Sequence, residues 1–333
     1  MRNFFRLELR GKTLFLPYAA AWVLVAGATV AYLCFMARHA VPDPVLDGAF
    51  AARVAAGLLL AVLSGAACCF MLYFFVRATA GGLSLSGERF EVDYPARTYA
   101  ALCTKGILLS AVTLGVWLPW FVRDLVRYFA AGTSFRFNAF EFRGSAPVLF
   151  SYAVLLCVAP AFVLLSSLPL VLLRARMGAE GMYVLGGVLY LVLLAFLCFY
   201  RAVSLKWYAD FAYGRKRMTC GVRVWHAGWY VFGQAVLTVV TLGLYAPMAL
   251  LRVWKYYVDR LVLGEVDIED RFGFSLRPGR DYLFVLGQML LTCVTFGIYY
   301  PWAYARVASL LVGRSWAEEQ EERGRRPMPE SGL

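Results

Sequence analysis

Four stretches of this chain run for 19 or more residues with almost no polar side chain: Thr13 to Met36, Phe50 to Val76, Ala146 to Leu173 and Met182 to Tyr200. Runs of that length match the roughly 20 apolar residues needed to cross a hydrocarbon core about 30 Å thick, so each predicts a spanning helix. Between them the pattern changes to short alternations of apolar and polar residues that end in Gly or Pro. These are Phe5 to Gly11, Phe90 to Pro95, Phe135 to Gly144, Val222 to Gly228 and Arg271 to Gly279. A period of two bounded by such residues predicts short strands at a membrane surface.

A third pattern is an apolar arm broken at one fixed place. The stretch Gly233 to Arg252 returns without a gap as Gly287 to Arg306, with 11 of 20 positions identical. Gln234, Thr238, Thr241, Gly243, Tyr245 and Pro247 stand opposite Gln288, Thr292, Thr295, Gly297, Tyr299 and Pro301. A diverged copy, Lys105 to Asp124, keeps Thr113, Gly115 and Pro119 in register. Glycine is a natural left-handed stop for a helix, and proline is favoured in the first turn of the next, so each copy predicts one helix ending and another beginning.

Charge selects between two topologies. If every copy spans once, giving seven spans with the N-terminus inside, the inner loops hold 15 Lys and Arg and the outer loops 16. If each copy enters and leaves on one side, that side holds 28, and Arg38, Arg174 and Arg176 lie opposite. The second arrangement obeys the positive-inside rule and puts both termini in the cytoplasm. The arms Trp229 to Leu242 and Leu283 to Phe296 are also short, 14 residues or about 21 Å at 1.5 Å per residue. The fold expected is therefore an all-α polytopic membrane protein, with about four spanning helices, three Gly/Pro-broken repeat hairpins and short cytoplasmic strands. Seven spanning helices are the alternative. In this plan residues 1–76 form an N-terminal helix pair, 77–313 a repeat membrane domain and 314–333 a disordered charged tail.

Composition agrees, with 61% hydrophobic and only 16% charged residues. The net charge of +12 is scattered among loops and reports orientation rather than nucleic-acid binding. Most of the eight cysteines lie inside apolar runs and read as packing. His39 and His226 fall on opposite sides of the membrane in this topology, so they do not jointly ligate a metal. No metal or other cofactor is expected. The sequence holds no zinc-protease, Walker or dinucleotide-binding motif. "GLSLSG" at Gly82 reads as an ordinary turn, and the chain is not expected to be an enzyme.

The stretch Arg127 to Gly144, with the Thr-Leu-Gly-x-aromatic-x-Pro-Trp motif before it, resembles the YjgN-like family of bacterial inner-membrane proteins, catalogued as domain-of-unknown-function family 898. The resemblance runs from about Leu83 to Leu311, and "KWYADFAYGRKRM" followed by "TLGLYAPM" repeats the same order. The sequence departs from the pattern at Met248, where tryptophan is usual, and at Arg123, four residues rather than five after its proline. The resemblance implies a multi-pass protein of the bacterial inner membrane and supplies no catalytic residues.

The candidate site consists of polar residues that apolar arms carry at a cost: Lys105, Thr113, Gln234, Thr238, Thr241, Gln288, Thr292 and Thr295. Spacings of four and three put Gln234, Thr238 and Thr241 on one helix face, and the second set repeats this. Such stripes either bond between helices or line a site at the breaks Gly115/Pro119, Gly243/Pro247 and Gly297/Pro301. Two functions follow: a transporter of a small solute or lipid, or a non-transporting scaffold that binds membrane lipids, through anionic headgroups at the cytoplasmic face, or a partner protein.

Overall fold

The computed structural model describes residues 2–38, 48–154, 174–265 and 268–318. It is mostly helical. Long apolar helices α1 (Gly11–Arg38) and α2 (Gly48–Gly81) are followed by the pair α3 (Ala96–Val112) and α4 (Leu118–Ala131). A third long helix, α5 (Arg174–Tyr208), precedes two further pairs. These are α6 (Val224–Val240) with α7 (Ala246–Val258), and α8 (Pro278–Val294) with α9 (Tyr300–Gly313).

Three helices among the described residues are long and apolar enough to cross a membrane: Gly11–Ala37, Ala51–Gly81 and Gly186–Tyr208. They match three of the four predicted spans. The fourth, Ala146 to Leu173, is helical over residues 146–154, and the rest lies outside the described residues. Large apolar side chains such as Trp22, Val23, Leu59 and Val188 are exposed along these helices. A helix apolar all round has no water-facing side, which associates the chain with a membrane.

The expectation of an all-α protein needs correction. Eleven strands join one sheet, in the order β3-β2-β1-β11-β10-β9-β8-β7-β6-β5-β4. They are β1 (Arg2–Leu7), β2 (Leu83–Leu85), β3 (Glu88–Arg89), β4 (Glu91–Val92), β5 (Thr133–Phe135), β6 (Asn138–Phe142), β7 (Phe211–Tyr213), β8 (Lys216–Cys220), β9 (Leu261–Glu265), β10 (Ile268–Phe274) and β11 (Ser315–Glu318). Most are too short to announce a sheet singly. Two local readings change as well: Val222 to Gly228 opens a helix instead of forming a strand, and residues 315–318 of the expected tail are a strand.

Helix pairs and sheet are coupled by closure. Each pair leaves the sheet from one strand and returns to its antiparallel neighbour, β4 to β5, β8 to β9 and β10 to β11. At each foot one backbone bond ties the ends: Asp93 N–H to the Gly132 carbonyl (2.8 Å), Gly221 to Arg260 (3.0 Å) and Ser275 to Arg314 (2.9 Å). The three pairs are thus helical hairpins.

The chain divides into two compact units. In the unit of residues 6–140 and 287–310, the α3–α4 hairpin packs on α2 around Cys69, Tyr73, Tyr94, Tyr99, Cys103, Phe121 and Leu125. Buried phenols find carbonyls there, Tyr73 on Tyr94 (2.8 Å) and Tyr99 on Cys69 (2.8 Å), as burial of a polar tip demands. Gly106 lets α3 and α4 close, since a Cβ there would lie 2.0 Å from the Phe121 ring. In the unit of residues 1–5, 141–286 and 311–333, the α6–α7 hairpin packs on α5 around Ala202, Cys220, Val222, Ala227 and Tyr257. Burial pushes the Cys220 thiol up, so it stays protonated at neutral pH and serves as packing.

Candidate functional site at the helix breaks

The breaks recur with one geometry. Leu114, Leu242 and Phe296 adopt φ of 50°, 51° and 50°, and the glycines that follow, Gly115, Gly243 and Gly297, adopt 91°, 88° and 88°. Left-handed backbone is cheap for glycine and costs the preceding residue about 1 kcal/mol, so the turn must be held by bonds. It is. The glycine N–H reaches back five residues, Gly115 to Ser110 (2.7 Å), Gly243 to Thr238 (2.7 Å) and Gly297 to Thr292 (2.8 Å), in a Schellman closure. Pro119, Pro247 and Pro301 stand in the first turn of the next helix.

The motif threonines join the two helices. Each hydroxyl donates to the carbonyl four residues back, Thr113 to Leu109 (2.7 Å), Thr241 to Leu237 (2.8 Å) and Thr295 to Leu291 (2.8 Å). Each also accepts the amide four residues on, from Trp117 (3.1 Å), Tyr245 (3.0 Å) and Tyr299 (3.1 Å). One oxygen thereby caps the end of one helix and the start of the next. Thr238 and Thr292 donate to the carbonyls of Gln234 and Gln288, both at 2.8 Å.

The two glutamines are buried and each has a partner inside its own hairpin. Tyr245 donates to Gln234 Oε1 (2.9 Å), and Tyr299 donates to Gln288 Oε1 (3.0 Å). Arg252 then donates to the Tyr245 hydroxyl (2.7 Å) and lies 5.7 Å from its ring, while Arg306 lies 5.9 Å from the Tyr299 ring. Each chain of Gln, Tyr and Arg links the far and near arms of one hairpin. Sequence spacing found the glutamines and threonines but missed the tyrosines, although Tyr245 and Tyr299 are identical positions of the repeat.

The first hairpin departs from this plan. Gly106 occupies the glutamine position, and Trp117, stacked on Trp120 at 5.5 Å, occupies the tyrosine position. Lys105 is exposed on α3 and belongs to no such chain. Phenols from other helices also take carbonyls at the breaks: Tyr282 donates to Leu244 (3.1 Å) and Tyr18 to Gly297 (3.0 Å).

One further group was not legible from motif spacing. Asp281 on α8 is 1% exposed, accepts the Arg277 amide (2.8 Å) and pairs with Arg314 (3.2 Å). His226 is exposed in the first turn of α6, and His39 lies outside the described residues. Among the described residues no three His, Cys, Asp or Glu side chains gather where a metal could bind.

A family model described as "Bacterial protein of unknown function (DUF898)" matches residues 2–141 and 133–273 of the chain. No curated protein matches it. No solved structure matches it.

Proposed function

We propose, for a chain that belongs to the DUF898 family of bacterial proteins of unknown function, a multi-pass inner-membrane scaffold whose three helical hairpins enter the bilayer from the sheet side and return to it. The observation that carries this reading is the chemistry of the hairpin tips. Leu114, Leu242 and Phe296 are 82%, 93% and 88% exposed, flanked by exposed Val112 and Val116, Val240 and Leu244, Val294 and Ile298. Nine apolar side chains gathered at three tips suit hydrocarbon and not water. The feet carry the strands and most of the Arg and Lys, as a cytoplasmic face does.

Depth supports re-entry over spanning. Tyr18 bonds the tip of the third hairpin at Gly297. Beyond that level α1 runs on from Tyr18 to Arg38, about 20 residues or ~30 Å. Gly65 of α2 lies beside Ile107 of α3, with a Cβ at Gly65 3.9 Å from the Ile107 side chain. Only five residues of α3 remain above that point before the break begins, while α2 has 17. The long helices outrun the tips.

The expected topology is read by labelling single cysteines, in a background without the native ones, at exposed Arg89 and Phe137, which flank the first hairpin. Re-entry puts both on the cytoplasmic face, so an impermeant maleimide modifies both in inside-out vesicles and neither in right-side-out ones. Modification on opposite faces would show that the first pair spans, as the seven-span alternative requires.

A scaffold role is favoured over transport because the hydroxyls, glutamine oxygens and several carbonyls at the breaks are already engaged within the protein. A binding site built from a broken helix would leave such groups for its solute. Gln234→Leu combined with Gln288→Leu is expected to leave a folded, membrane-integrated protein, since interhelical bonds of this kind contribute about 0.6 to 2 kcal/mol each. Metabolite pools of cells carrying the variant should match those of wild type. If a pool that separates wild-type cells from cells lacking the protein reverts in the variant, the protein is a transporter.

A further inference from the structure

The second and third hairpins meet the sheet differently, and the difference leaves a place for an anion. At the foot of the third, Asp281 supplies a buried negative charge to Arg314 and an acceptor to the Arg277 amide. The register of the sequence repeat puts Arg223 on Arg277, His226 on Arg280, Ala227 on Asp281 and Arg260 on Arg314. The basic positions persist, but the carboxylate has become Ala227, which is fully buried and uncharged. The first hairpin has Pro95, Thr98, Tyr99 and Gly132 at these four places and carries no such cluster.

A cleft of about 470 Å3 opens at this foot, lined by Gly221, Arg223, His226, Tyr230, Tyr256 and Arg260. Among the described residues, no acidic side chain lines it. Its aromatic wall is ordered, with Tyr230 and Tyr256 stacked at 4.5 Å. The Arg260 guanidinium lies 3.9 Å above the Tyr256 ring and donates once to the Tyr256 carbonyl (2.9 Å). A guanidinium has five N–H donors, so an arginine held by its face and one N–H still presents a fork to a ligand. No side chain caps the start of α6 at Arg223, so the helix end adds positive potential beside the cleft.

We propose that this cleft binds a phosphate group, carried either by an anionic lipid headgroup or by a soluble phosphate compound. Two arginines, an imidazole and two phenols supply charge-assisted donors for the oxygens of a phosphate, and the volume admits a phosphate together with its substituents. The headgroup source rests on the topology proposed above, which sets the hairpin feet at the cytoplasmic surface. The soluble source does not.

The test uses the full chain and two probes. Inorganic phosphate is titrated onto the protein in phosphatidylcholine nanodiscs and followed by broadening of its phosphorus resonance. Phosphatidic acid is offered to the detergent-solubilised protein and retained lipid is counted by native mass spectrometry, with phosphatidylcholine as reference. Arg223 and Arg260 are both exposed, so Arg223→Gln combined with Arg260→Gln spares the hairpin core. That variant is expected to weaken binding about tenfold or more, the effect of losing charge-assisted hydrogen bonds. Arg215→Gln, a single change of the same kind outside the cleft, is expected to stay within about twofold of wild type. Ala227→Asp installs the carboxylate of the third hairpin and should weaken binding at least as much.

Retention of phosphatidic acid alone identifies the headgroup source, phosphate binding alone identifies a soluble one, and both together mean that the phosphate group itself is read. Binding of neither probe, or equal losses in the Arg215→Gln and double variants, overturns the proposal. Labelling on opposite faces in the topology experiment would remove the headgroup source and leave the phosphate titration standing.

Discussion

Leu242→Asp is expected to lower the unfolding free energy of the protein in lipid nanodiscs by about 2 to 3 kcal/mol, the cost of placing a carboxylate inside a bilayer. The magnitude is diagnostic because Leu242 is 93% exposed and the substitution removes little packing. Were the tip in water, the change would fall within about 0.5 kcal/mol, as surface substitutions do. Leu114→Asp and Phe296→Asp test the other two tips in the same way. Their effects should add when combined, since the three sites lie on separate hairpins. Arg215→Asp, an exposed position on the turn between β7 and β8, is the matched control and should be nearly neutral. A neutral Leu242→Asp would place the second tip outside the hydrocarbon and sink the re-entrant reading for that hairpin, whatever the labelling gave.

The helices and their breaks were legible in the sequence for a simple reason. Apolar length, a glycine with positive φ and a proline in a first helical turn are local properties, and each leaves its mark where it acts. Gly115, Gly243 and Gly297 were identified by spacing alone, and each has the backbone that only glycine adopts freely. The sheet was not legible in this way. Glu91 and Val92 make a two-residue strand whose partners, Ser134 and Thr133, lie some forty residues on, beyond an entire hairpin. No periodicity in two residues announces such a pairing. The candidate site was legible in half: Gln234 and Gln288 stood out because a polar group in an apolar arm is costly, but Tyr245 and Tyr299 showed only as identical positions of the repeat, since a tyrosine ring is at home beside apolar residues. Their hydroxyls became visible as partners only once the returning arm lay against the first.

Asp281→Ala is expected to destabilise the protein by about 3 to 5 kcal/mol, measured by denaturant or thermal unfolding in nanodiscs. The carboxylate is 1% exposed and the Arg314 side chain 23%, so removing one partner leaves a largely buried guanidinium without its counter-charge. The Arg277 amide loses its acceptor in the same step. Asp281→Asn keeps an acceptor for both groups but not the charge, and its loss should be about half as large. Removing both charges with Asp281→Leu and Arg314→Met should recover most of the stability, because a buried pair contributes little beyond what well-packed apolar groups supply. This series bears on the cleft as well as on the fold. The second hairpin keeps Arg260 at the position of Arg314 but has no carboxylate, and it remains folded because Arg260 is exposed and rests on Tyr256. If Asp281→Ala costs less than about 1 kcal/mol, Arg314 needs no anion either, and the contrast between the two hairpin feet loses its force. A large cost makes Asp281 the internal counterpart of the phosphate that the second hairpin takes from outside.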